Sequence, residues 1–106
     1  MKKCLIIANG KSPTKKVVEY FYTKGFNTII CADGGANSAK ELGIVPDFII
    51  GDLDSAEIKT LEFFQTKSEI IKIKRQNDTD VEKCLKFAIR NKFDEVVLLG
   101  VTGDRL

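Results

Sequence analysis

The chain has 106 residues, 43% of them hydrophobic and 30% charged, with a formal net charge of +2 and no histidine. That length supports one domain around a single core, and a weak positive charge on scattered lysines without interleaved aromatics gives no nucleic-acid footprint. The missing histidines remove histidine triads and histidine-ligated metals, and no apolar run reaches the length of a secretory signal or a membrane span.

Short apolar strands alternate with amphipathic helices along the whole chain. The first strand is expected near Lys3–Ala8. A helix follows, with Ser12 as its N-cap, Pro13 in its first turn, Val17, Val18 and Phe21 on one face and Gly25 as its stop. Thr28–Ala32 reads as the second strand, followed by a short helix over Ala36–Leu42 that ends at Gly43. Phe48–Ile50 is the third strand, and Ser55 is expected to cap a helix carrying Ile58, Leu61 and Phe64. Glu69–Ile73 is the fourth strand. The helix after it is the best marked, because Val81, Cys84, Leu85, Ala88 and Ile89 follow the i, i+3, i+4, i+7, i+8 stripe. Thr79 with Glu82 three residues on is a capping-box signature, and Glu95–Leu99 is the fifth strand. Cys4, Cys31 and Cys84 lie in these apolar elements, an odd count without metal-site spacing, and read as buried thiols of a reducing, cytoplasmic compartment. The βα alternation predicts an α/β fold: a three-layer α/β/α, Rossmann-like domain with a mainly parallel sheet.

In that layout the polar, glycine-rich segments follow the strands and converge on one edge, where open α/β sheets bind ligands. They are Asn9-Gly10-Lys11-Ser12, Asp33-Gly34-Gly35-Ala36-Asn37, Gly51-Asp52-Leu53-Asp54-Ser55, Gln76-Asn77-Asp78-Thr79-Asp80 and Gly100-Val101-Thr102-Gly103-Asp104-Arg105. Each has a plain structural reading. Asn9-Gly10 makes a turn, Asp33 caps the helix after it, and Asp78 or Thr79 caps the fourth helix. Asp52 and Asp54 are harder to absorb, since one helix does not need two caps. No Lys or Arg occurs between Lys40 and Lys59, so nothing nearby in sequence neutralises that pair. A divalent cation would, and hard carboxylate oxygens beside a phosphate site suit Mg²⁺. Glycines at strand-to-helix turns let backbone N–H groups approach phosphates, and Arg105, with Lys11, Lys74 or Arg75, offers positive charge to a transferring group. The set points to phosphoryl or pyrophosphoryl transfer from a nucleotide. Neither G-x-x-x-x-G-K-[ST] nor a G-x-G-x-x-G after the first strand is present, so the site is neither a P-loop nor a dinucleotide fingerprint.

Four ordered motifs carry a resemblance to one family. Ala32-Asp33-Gly34-Gly35-Ala36-Asn37, Pro46-Asp47 with Gly51-Asp52-Leu53-Asp54-Ser55, Gln76-Asn77-Asp78-Thr79-Asp80 with Lys83-Cys84-Leu85, and Gly100-Val101-Thr102-Gly103-Asp104-Arg105 resemble thiamine pyrophosphokinase in order and spacing. The resemblance implies transfer of pyrophosphate from ATP to the hydroxyl of thiamine, with release of AMP. It implies Asp52, Asp54 and Asp80 as Mg²⁺ ligands, and Asp33, the Gly34-Gly35 backbone and Asn37 along the nucleotide. It further implies Gln76 facing the thiamine pocket, Thr79 holding phosphate or metal, and Arg105 at the transferring group. With no histidine, any general base would be an aspartate. The family motif continues past the arginine with an Asp-His pair that this sequence does not reach. The expectation is therefore that residues 1–106 form the nucleotide-binding catalytic domain of a cytoplasmic homodimer. A C-terminal, thiamine-binding β-domain is expected in the complete protein, and this part alone would turn over little or not at all. A related pyrophosphokinase with a pterin-type acceptor is one alternative, and a non-catalytic nucleotide-binding module with acidic caps is the other.

Overall fold

A computed structural model describes residues 2–74 and 78–100. Within them five strands and four helices alternate: β1 (Lys3–Ile7), α1 (Lys15–Thr23), β2 (Thr28–Ala32), α2 (Gly35–Leu42), β3 (Phe48–Gly51), α3 (Ile58–Phe64), β4 (Glu69–Lys72), α4 (Asp80–Arg90) and β5 (Glu95–Leu99). The strands make one sheet in the order β4-β3-β2-β1-β5, every neighbouring pair parallel.

Two apolar clusters follow the strand alternation. Leu5, Ile7, Ile29, Cys31 and Ile49 point to the side covered by Val18 of α1, Ala36 and Ala39 of α2 and Phe64 of α3. Cys4, Ile6, Ile30, Ala32 and Ile50 point to the other side, where Cys84 and Ala88 of α4 meet them. All three thiols are free and buried. Desolvation pushes the Cys4 thiol up to about 11 and that of Cys84 to about 12, so neither is a nucleophile at neutral pH. Among the described residues no helix is long and apolar enough to cross a membrane.

Five expected features lie elsewhere. Thr14, not Ser12, caps α1. Its side chain accepts the Val17 N–H, whereas the Ser12 hydroxyl donates to the Pro13 carbonyl, and Pro13 lies ahead of the helix. Glu57, not Ser55, precedes α3; the Asp33 carboxylate accepts the N–H groups of both Ser55 and Ala56 and holds them in the loop ahead of the helix. Ile58 and Ile89 are both 74% exposed rather than packed. α4 buries the Cys84–Ala88 strip, and Ile89 lies about 120° around the helix from its centre.

The Thr79–Glu82 capping box is present. The Thr79 side chain accepts the Glu82 N–H at 3.1 Å while the Glu82 carboxylate accepts the Thr79 N–H at 2.8 Å. Thr79→Ala is expected to cost about 1 kcal/mol of stability, read by urea denaturation. A change within error would show that the cap contributes nothing net.

Candidate functional site

The carboxylates of Asp33, Asp52 and Asp80 come together at the C-terminal edge of the sheet, each offering an oxygen that lies within 4.8 Å of the other two. They arrive from the loops after β2 and β3 and from the first turn of α4. Chain reversal there needs unusual backbone: Asp33 has φ 47° and Leu53 has φ 68°, both in the left-handed region. Aspartate tolerates that region, whereas for leucine it costs on the order of 1–3 kcal/mol, a strain that surrounding structure must hold in place.

Gly51 makes the close approach feasible. At φ 151° a Cβ there would stand 2.8 Å from Asp80 Oδ1 and 3.1 Å from the Asp33 Cβ. Any side chain at this position would separate two of the three carboxylates.

Asp33 is 1% exposed, yet its side chain does not cap the helix after it, whose N-cap position is Gly34 and has no side-chain cap hydrogen bond. Its carboxylate instead accepts the N–H groups of Ser55 at 3.2 Å and Ala56 at 2.9 Å. Burial is the main cause that pushes its pKa from 3.8 to about 6. The two backbone donors pull it down, while the hydrogen bond to Asp52 and the charge of Asp80 push it up. The native state thus holds this proton up to about pH 6, whereas the unfolded chain releases it near pH 4. Stability from this group therefore falls as pH rises from about 4 to about 6. Asp33→Asn keeps the acceptor for Ser55 and Ala56 but cannot ionise. It is expected to melt several degrees above wild type near pH 7.5 and level with it near pH 4. The same offset at both pH values would contradict this.

The remaining residues singled out in the sequence fall as follows. Asp54 is exposed and lies outside the trio; its N–H donates to Asp52 Oδ1 at 3.1 Å, closing the turn between them. Neither Asp52 nor Asp54 caps α3. Asn37 ties the same loop down, its Nδ2 donating to the Ser55 carbonyl at 3.1 Å and its Oδ1 accepting the Glu57 N–H at 3.0 Å. Gly34 and Gly35 are buried at the start of α2, and Thr79 caps α4. Asp47 stands at the opposite end of β3, its carboxylate accepting the Ile29 N–H. Gln76 and Arg105 lie outside the described residues, as does Arg75.

Lys83 is the feature that the sequence alone did not single out with a role. Its side chain is 3% exposed, with Nζ 3.5 Å from Asp80 Oδ1. Beside it, between β4 and α4, is a cavity of about 460 Å³ with Ile71, Ile73 and Phe87 among its apolar lining and Lys83, Lys86 and Arg90 as its basic groups. Chemically, the site offers converging hard oxygens for a small divalent cation beside a recess whose three basic groups outnumber its one carboxylate, Asp78.

The family model for the catalytic domain of thiamin pyrophosphokinase matches residues 20–106. Thiamine pyrophosphokinase of Saccharomyces cerevisiae is 33% identical over 91 residues, which span 76% of this chain and 28% of that protein. The crystal structure of the yeast enzyme superposes with a TM-score of 0.71 at 30% identity, over 84% of this chain and 32% of that one. Thiamine pyrophosphokinase from Bacillus subtilis shares the fold, with a TM-score of 0.77 at 22% identity over 98% of this chain and 49% of the other. The chain spans about half or less of the length of these relatives.

Proposed function

The chain belongs to the thiamin pyrophosphokinase family, and from that membership we propose that it is the Mg²⁺- and ATP-binding half of an enzyme that moves pyrophosphate from ATP to the hydroxyl of thiamine, giving thiamine diphosphate and AMP. The observation that carries the reading is the convergence of Asp33, Asp52 and Asp80. Three carboxylates so close repel one another unless a cation or a proton joins them, and a set of hard oxygens over a glycine floor fits Mg²⁺.

Asp52 and Asp80 would hold the metal, with Asp54 on the exposed side of the same turn and Asp33 closing the set from beneath. Bound there, Mg²⁺ would offset phosphate charge and polarise the phosphorus under attack. The chain's own contribution is mostly positioning, as in other phosphoryl transfers. Asp33 and Asn37 hold the 55–57 backbone against the start of α2, so the loop bearing Asp52 and Asp54 keeps its shape beside the Gly34-Gly35 turn along which the nucleotide would lie. Thr79 sets the first turn of α4, from which Asp80 projects. Gln76 facing thiamine and Arg105 at the transferring group complete the proposal. We read residues 1–106 as a three-layer, Rossmann-like domain of a cytoplasmic homodimer, with the rest of the thiamine site supplied by the further length that its relatives have.

Equilibrium binding of ATP to the chain, with Mg²⁺ present and with Mg²⁺ chelated, tests the nucleotide half of this reading. ATP is expected to bind only with the metal. Equal affinity in both conditions would favour a metal-independent binding module.

A further inference from the structure

We propose that Lys83 is a positioning residue for the metal-binding carboxylates, an inference that rests on the reading of Asp33, Asp52 and Asp80 as a cation site. An enclosed ammonium is costly unless paired, and this one has two partners, one of them a carboxylate of the trio. Lys83 Nζ donates to the Asp78 carbonyl at 3.2 Å and approaches Asp80 Oδ1 at 3.5 Å. The same oxygen rests over Gly51, where a Cβ would be only 2.8 Å away. Asp80 is thus held between the ammonium on one side and bare backbone on the other, with its carboxylate turned toward Asp33 and Asp52.

Lys86 gives the contrast. It is 59% exposed and bonds the Asp78 carboxylate at 2.6 Å, so it braces the loop without touching the trio.

Charge and geometry predict opposite effects for the loss of Lys83. As a charge, the ammonium repels a cation bound next to Asp80, so removing it would tighten metal binding. As a brace, it keeps a carboxylate that is 28% exposed from swinging into solvent away from its two like-charged neighbours, so removing it would weaken binding. Partners that orient a ligating carboxylate are typically worth about 10- to 100-fold in metal affinity, and geometry is the effect inferred here.

The test is a titration with Mn²⁺ alone, followed by the electron paramagnetic resonance of the free ion, on wild type, Lys83→Met, Lys86→Met and Asp80→Asn with and without Lys83→Met. Lys83→Met is expected to lose about ten-fold or more in Mn²⁺ affinity, and Lys86→Met to stay near wild type. In the Asp80→Asn background, adding Lys83→Met is expected to change little, since Lys83 acts through Asp80. Far-UV circular dichroism checks folding, and Lys83→Gln, which keeps a donor in the enclosed position, replaces the Met variant if that does not fold. Unchanged or tighter binding by the folded Lys83 variant overturns the proposal, and so does a full additional loss in the Asp80→Asn background. Failure of wild type to bind Mn²⁺ would overturn the cation site itself, an outcome separate from either.

Discussion

Asparagine in place of Asp52 or Asp80 is expected to lower Mg²⁺ affinity by about 100-fold or more while leaving the fold intact. Oriented partners one shell out already change metal affinity by about 10- to 100-fold, and a direct ligand sets a larger loss. Each replacement is isosteric, so the turn survives: Asp52→Asn keeps the Oδ1 that accepts the Asp54 N–H at 3.1 Å. Removing the Asp80 charge relieves its repulsion on Asp33, whose pKa it pushes upward, but also takes the carboxylate partner from the enclosed Lys83 ammonium. Stability in the absence of metal should therefore stay near wild type for Asp52→Asn and fall for Asp80→Asn, while metal binding collapses in both. Calorimetric titration with Mg²⁺ and ATP, paired with urea denaturation, reads both quantities. Affinity unchanged in both variants would reduce the two aspartates to turn residues. The same titration on Asp54→Asn shows whether the exposed carboxylate of the pair is a ligand too.

Gly35→Ala is expected to be the most destabilising conservative change at the site's edge. Helix propensity alone predicts the reverse, since alanine in a helix is favoured over glycine by about 1 kcal/mol. The new Cβ, however, would lie 2.0 Å from the Ile7 carbonyl oxygen and 2.8 Å from its carbon. Ile7 is 0% exposed and hydrogen-bonded within the sheet between β2 and β5, so that carbonyl moves only if the sheet moves. The loss should reach about 3 kcal/mol or more, a large share of a total stability of about 5–15 kcal/mol. Urea denaturation measures it; a variant as stable as wild type would show that α2 can slide on β1 without cost.

Much of the fold was legible because its signals are local. The strands of the described residues fall within a residue of the expected ranges, since each is a short apolar run bounded by turn formers. The strand order was not legible, because nothing in the pattern of β5 says that it returns beside β1 rather than extending the row past β4. The displaced cap of α3 has the same long-range origin, whereas that of α1 is a local shift from Ser12 to Thr14. Ser55 looks like a cap by type and place, but its N–H is claimed by Asp33, 22 residues earlier.

Asp33 was legible as a candidate but not as the buried member of the acidic trio, since Asp52 and Asp80 lie far from it in sequence. Lys83 was visible only as one letter of a motif. It lies off the centre of the α4 stripe, where periodicity predicts solvent, and its enclosure depends on Asp78, Asp80 and the β4 side of the cavity. The thiols were readable because Cys4 and Cys31 sit in apolar strand runs and Cys84 lies on the apolar stripe of α4.

The measurement that bears most directly on the account is a product assay on the full-length protein with Mg-ATP, with and without thiamine, resolving AMP from ADP. Transfer of a pyrophosphoryl group requires one AMP per thiamine diphosphate formed, with none when Mg²⁺ is chelated. Folded, ATP-binding protein that releases no AMP with thiamine, or that releases ADP instead, would contradict the proposed reaction.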